Sequence, residues 1–202
     1  MGFQLIEDKI IVQEEITKLK SLNINIRLKN QKIGQFTQFL QKCTQLNKLK
    51  ISLYQITDLK YEDLIELGKC IKLLSNLHSF TTNLSFTELE NLAFVDFFGL
   101  LNQSQNLKTL KMRMWHVGIS NDACIQIAKL LAKFPKLTHL YFVISSLSQQ
   151  TADSIVKILI SNKLITTLSI GLNEQYGKSV KNLTKKSILK MRRLVNIQFK
   201  HY

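Results

Sequence analysis

Lys111, Arg113 and Trp115 stand two residues apart in the stretch LKTLKMRMWHVGIS, residues 107–120, interleaved with Leu110, Met112 and Met114. On an extended strand, side chains two apart share one face. A face carrying a lysine, an arginine and an indole can bind carboxylates or phosphates and can stack on flat groups. The question is whether this stretch is unique or one instance of a pattern.

Other residues able to do chemistry are scattered. His78, His116, His139 and His201 show neither HExxH nor His-x-Glu spacing and read as surface, not as metal ligands. Cys43, Cys70 and Cys124 form an odd set without ligand spacing and read as reduced, buried thiols. They point to a reducing intracellular compartment, the cytoplasm ahead of the nucleus or an organelle. No GxGxxG, P-loop or GxSxG occurs, and the glycines are singletons. The acids of YEDLIE and IEDK fall on helical segments and read as solvated faces. No catalytic residue, metal or cofactor is expected, and an enzyme is the least favoured class.

The 202 residues, 45% hydrophobic and 21% charged, suffice for one domain with a sizeable core. No apolar run approaches ~20 residues, so membrane insertion is not expected. The opening MGFQLIEDKIIVQEEITK is acidic and amphipathic, unlike a secretory signal or a mitochondrial presequence. Ile6 stands where myristoylation requires Ser or Thr. The net charge is +14, and from Ile155 onward ten Lys or Arg face one acid, Glu174. That balance favours acidic or anionic partners.

The elements that position these residues emerge from counting. Apolar residues recur at places one, four, six and eight of a unit that starts at 19, 46, 77, 107, 137, 165 and 194. The spacings are 27, 31, 30, 30, 28 and 29. One copy is Leu107, Leu110, Met112, Met114, and the next is Leu137, Leu140, Phe142, Ile144. An upstream copy, Leu77, Phe80, Thr82, Leu84, carries an odd threonine. Between these strand-like units lie segments of helical period, such as DACIQIAKLLAKF and TADSIVKILISN, YEDLIELGKCIKLL and LENLAFVDFFGLLNQ. Each unit is one strand plus one helix and must stack on its neighbours to bury its apolar faces.

CTQLNKLKISL, QNLKTLKMRM and FPKLTHLYFVI resemble the leucine-rich repeat, in its long, ribonuclease-inhibitor-like subtype, over about residues 16–202. The resemblance implies an α/β solenoid, a horseshoe arc of about seven βα repeats with a parallel sheet on the concave face and helices on the convex face. One domain is expected, with residues 1–18 as an amino-terminal capping helix and 19–202 as repeats. The family's polar ladder residue is mostly absent. Counting nine from each start gives Arg27, Tyr54, Ser85, Trp115, Ser145, Asn173 and Tyr202, of which only Asn173 fits. Tyr202 falls on or just after the seventh strand, and a bare edge there invites pairing. That strand is itself a sufficient edge, a partner or neighbouring subunit covers it, or the chain is a fragment.

Places five, seven and nine of each unit point away from the core. These 21 positions hold five basic residues and no acid. Lys111, Arg113, Trp115 and Tyr141 come from adjacent strands, with Lys50 and Tyr54 two strands away. These six residues are the expected partner-binding set, although a lone Trp can equally pack on its own loop. Trp, Tyr and Arg are common interface hot spots. A second basic feature is GKSVKNLTKKSILKMRR, residues 177–193, with Lys178, Lys181, Lys185, Lys186, Lys190, Arg192 and Arg193. It reads either as a solvated helix or as an anion- and RNA-binding surface, without a zinc-finger, RRM or KH signature.

Two functions follow as expectations. The first is a non-catalytic scaffold module, a subunit of a larger assembly, that binds a protein of acidic or mixed surface through its concave face. The second is a structural subunit of a ribonucleoprotein that contacts RNA backbone through the basic carboxy-terminal region.

Overall fold

Strand and helix alternate along the chain. The computed structural model describes residues 16–26, 33–145 and 147–171. After a short 3-10 turn, Ile16–Lys18, come β1 (Ser21–Asn25), α1 (Ile33–Lys42), β2 (Lys48–Ser52), α2 (Tyr61–Leu73), β3 (Ser79–Asn83) and α3 (Asn91–Leu101). There follow β4 (Thr109–Met114), α4 (Asn121–Leu131), β5 (His139–Ile144), α5 (Gln149–Ser161) and β6 (Thr167–Gly171). The expected capping helix before Ile16 and the seventh unit at 194 lie outside the described residues.

The six strands form one sheet in chain order, all parallel. The repeat phase sets the register. Leu22, Leu49, Phe80, Leu110, Leu140 and Leu168 stand side by side across the sheet, and so do Ile24, Ile51, Thr82, Met112, Phe142 and Ile170. Both rows belong to the helix-facing side, and all but Ile24 are buried. Each helix packs on the next one in the chain, and their apolar faces close over these rows. Cys124, Ile127, Ala128 and Leu131 of α4 are fully or almost fully buried, as their helical spacing requires.

Local chemistry starts and spaces the helices. Ser120 and Ser148 cap α4 and α5 by accepting the N–H of Ala123 and Thr151, each at 3.2 Å. At the start of α2 the Asp63 carboxylate accepts the N–H of Lys60 at 3.1 Å. Gly68 lets α2 lie close to α3, because a Cβ there would stand 2.9 Å from Leu100 Cδ1 and 3.0 Å from Phe97 Cδ2. Between α1 and α2, the buried Thr37 hydroxyl joins the Gly34 carbonyl to the Glu66 carboxylate.

Asparagines tie each unit to the one before it. Asn76, Asn106 and Asn162 donate through Nδ2 to the carbonyls of Thr44, Ser75 and Ala132, each at 2.8 Å. Asn91 and Asn121 accept the N–H of Ser120 and Ser148 through Oδ1, at 2.8 and 3.2 Å. These bonds recur at near-repeat spacing, and they satisfy backbone groups that loops leave open.

Candidate functional site

Strand alternation determines which side chains reach the sheet's other face. Asn23, Lys50, Thr81, Lys111, Tyr141 and Ser169 form one row in register, and Asn25, Ser52, Asn83, Arg113, Val143 and Gly171 form the next. Lys50, Lys111 and Arg113 are exposed. Val143 departs from the outward expectation, since its side chain is buried. That apolar residue therefore offers nothing to a partner in solution.

The two rows line an open depression of about 740 Å³, floored by β1 to β5. Lys50, Lys111 and Arg113 enter it together with Asn23, Asn25, Ser52, Thr81, Asn83 and Tyr141. No acid lines it. Every Asp and Glu of the described residues lies in a helix or in the segment leading into one. Thr81 stands between Lys50 and Lys111 in the register, and Asn83 adjoins Arg113. Three cations thus surround a patch of hydroxyl and amide groups that can donate hydrogen bonds. With strands ~4.8 Å apart, Lys50 and Lys111 stem from points ~10 Å apart, within reach of one ligand. Such a surface attracts carboxylates or phosphates, and arginine can hold either in a two-pronged bond.

The other two expected partner-binding residues lie beyond the strands. Tyr54 follows β2 and is 43% exposed, with its ring 5.4 Å from Phe86 in an edge-on contact. Trp115 follows β4 and is half-buried, so it is less outward than its place in the repeat implied. Its N–H donates to Ser85 Oγ at 3.0 Å, and its carbonyl accepts the N–H of Phe86 at 2.7 Å. Ser145 Oγ accepts the N–H of His116 at 2.9 Å. Ser85 and Ser145, at place nine, thus make cross-repeat bonds, although only Asn173 was counted as fitting a polar ladder there.

Sequence reasoning gave Phe86 no part and read His116 only as surface, and His116 is indeed exposed. Together with Gln55 these two residues occupy place ten of consecutive units, and all three have left-handed backbone, with φ of 60°, 49° and 59°. Such a conformation costs a residue with a side chain on the order of 1–3 kcal/mol. The Phe86 and His116 rings stack at 4.8 Å, 23° from parallel. The signal available in the sequence was the column after place nine, but its residues share no type.

The remaining chemical candidates stay dispersed. Burial pushes the Cys43 thiol up to about 11 and the Cys124 thiol up to about 12. Burial, reinforced by nearby Cys43 and Glu66, lifts Cys70 to about 12. At neutral pH these thiols are protonated and poor nucleophiles. Among the described residues no cluster of His, Cys, Asp and Glu could hold a metal ion, and no helix is long and apolar enough to cross a membrane. Arg27, Asn173 and the basic set from Lys178 to Arg193 lie outside the described residues.

These features define an α/β protein whose parallel sheet has one helix-covered face and one open, basic face. No family model matches the sequence, and no curated protein is significantly similar to it.

Proposed function

We propose that this chain is a non-catalytic protein-interaction module of leucine-rich-repeat type, a subunit of a larger assembly. Its open sheet face is the concave surface of a solenoid arc. It engages a partner segment of acidic or mixed character, with Lys50, Lys111 and Arg113 neutralising carboxylates and Tyr141 at the edge of the contact. The observation that carries this reading is the depression with three cations and no acid on its lining. Cations carried on one sheet in register, with no acid among the described residues lining the depression, offer a ligand anchor points already arranged, which lowers the ordering cost of binding.

Cross-linking mass spectrometry on the native complex tests this proposal. Lys50 and Lys111 are expected to link to one partner protein, within an acidic stretch. Charge reversal at Lys111 and Arg113 should abolish that capture while the melting temperature stays unchanged. Unaltered capture by the folded double variant would refute the proposal.

The ribonucleoprotein reading rests on the charge of residues 178–193 in the sequence. It requires RNA binding that weakens steeply with salt and disappears when Lys181, Lys185, Lys186 and Arg192 are neutralised.

A further inference from the structure

The turn beyond the strands is a repeated backbone feature, not a single irregular loop, and two of its three places carry rings. Gln55, Phe86 and His116 follow β2, β3 and β4 at equivalent places, each with left-handed backbone. Hydrogen bonds of sheet type hold the turns: Gln55 N–H donates to the Ser85 carbonyl at 3.0 Å, and Phe86 N–H donates to the Trp115 carbonyl at 2.7 Å. The serine hydroxyls of Ser85 and Ser145 fix the N–H groups of Trp115 and His116. This geometry brings Phe86 between Tyr54 and His116, at 5.4 and 4.8 Å. Phe86 and His116 stand at equivalent places of adjacent units, so the ~4.8 Å strand spacing sets their separation, while Tyr54 reaches Phe86 from the place before.

The row is open to solvent, with Tyr54 and His116 exposed and Phe86 half-buried. Left-handed backbone at bulky residues is unfavourable, and here it places rings on a rim where little apolar area is removed from water. A ligand would supply the missing cover. Tyr54, Phe86 and His116 follow Ser52, Asn83 and Arg113 by two or three residues, a chain distance of at most ~10 Å. The rim therefore runs alongside the row of Ser52, Asn83 and Arg113, and the row of Lys50 and Lys111 lies two residues further along the strands.

We infer that the ring row and the cations form one two-sided groove for an extended acidic segment in which carboxylates alternate with an aromatic side chain. An extended chain sends successive side chains to opposite sides. A segment lying across the strands offers carboxylates to Lys50, Lys111 and Arg113 and an aromatic ring to Tyr54 and Phe86. Crossing from β1 to β5 takes ~19 Å, which about six extended residues span. Charge complementarity selects the acidic side of this ligand, and the exposed rings select its apolar side. The inference rests on the open-face proposal and adds to it the partner's alternating pattern.

Fluorescence anisotropy with the full chain tests it, using four labelled probes at low salt. Three are octapeptides that alternate aspartate with serine, aspartate with phenylalanine, and asparagine with phenylalanine. The fourth is a single-stranded RNA octamer. The aspartate–phenylalanine peptide is expected to bind about tenfold tighter than the aspartate–serine peptide. Phe86→Gly keeps the left-handed turn accessible and should bring the aspartate–phenylalanine peptide down to the affinity of the aspartate–serine peptide. Tyr54→Ser, at an exposed ring, gives the same readout independently of folding. Equal affinity for the two aspartate peptides, or a gain that survives both variants, overturns the two-sided groove and leaves the open-face proposal standing. So does undiminished binding of the asparagine peptide. If neither aspartate peptide binds, or only RNA does, both fall.

Discussion

Along each strand of the sheet, one set of side chains meets the helices and the alternate set meets solvent, and their chemistry is opposite. The helix-facing set is leucine, isoleucine, phenylalanine and methionine in every unit, broken by Thr82. The open set is asparagine, serine, threonine, lysine and arginine, broken by Tyr141, the buried Val143 and Gly171. Stacking units must bury apolar faces, so the first set would look the same whatever the protein bound. The second set is free of that demand, and its lack of acids is therefore the informative choice. Neighbouring residues on one strand carry different kinds of evidence.

Exchanging neighbours across that divide gives the largest expected effect. Met112→Lys buries an ammonium among Leu110, Phe142 and α-helical side chains without a partner, a change of the severe class at more than about 4–5 kcal/mol. Circular dichroism should show no cooperative melt. Lys111→Met, one residue away on the exposed face, should shift stability by less than about 0.5 kcal/mol and reduce affinity for acidic peptides. Similar melting of the two variants would break the comparison.

Alkaline pH probes the helix-covered side by itself. Cys43 titrates near 11 and Cys70 and Cys124 near 12, all above the ordinary 9.0, so the folded chain holds these protons more tightly than the unfolded one. Their contribution to stability is complete below pH 9 and is lost as pH rises through 11 to 12. Each thiol contributes a slope of at most about 1.4 kcal/mol per pH unit in that window. Urea midpoints at stepped pH should fall accordingly, with a shallower fall for Cys124→Ala. At pH 8 the native thiols should resist disulfide reagents until the chain unfolds.

Much of this division was legible before any coordinates. Apolar places four, six and eight recur in one phase, and parallel strands built from one phase pair place to place. The register and the row of Lys50, Lys111 and Tyr141 therefore followed from counting. The helix IGQFTQFLQK was not singled out, although Ile33, Phe36, Phe39 and Leu40 stand at helical spacing and are buried. At place nine only Asn173 was counted as fitting a polar ladder. Serine makes cross-repeat bonds from that place, while Asn76, Asn91, Asn106, Asn121 and Asn162 act from the loops and helix ends. The left-handed turns were illegible because Gln55 and Phe86 are not usual left-handed residues and a single His116 sets no pattern. Their conformation comes from the sheet bonds around them, which no local pattern records.

Helix against helix, the packed side sharpens further at Gly68. Gly68→Val places three carbons where one would already meet Leu100 and Phe97 at 2.9–3.2 Å. Overpacking of this kind costs about 1–3 kcal/mol, read as a lower urea midpoint. Thr82→Val goes the other way. Its hydroxyl is buried, with Oγ1 lacking any hydrogen-bond partner, so a methyl of similar size should add about 1–2 kcal/mol. Loss of stability in Thr82→Val would mean that the threonine belongs to the packed row for a reason other than shape.

The smallest effect separates the two glycines of adjacent helices. Gly68 in α2 faces its neighbour helix, whereas a Cβ at Gly99 in α3 would meet no atom within 4 Å. Gly99→Ala therefore gains helix propensity and loses unfolded-chain freedom with no packing penalty, a stabilisation of about 0.4–1 kcal/mol. Differential scanning calorimetry should record a rise of a few degrees in Tm, with peptide affinity unchanged because Gly99 lies on the helical side, away from the open face. The same substitution at Gly68 must first displace Leu100. Identical Tm shifts for the two alanine variants would show that contact between α2 and α3 is looser than their geometry states, and the stacking account of the packed face would lose its main support.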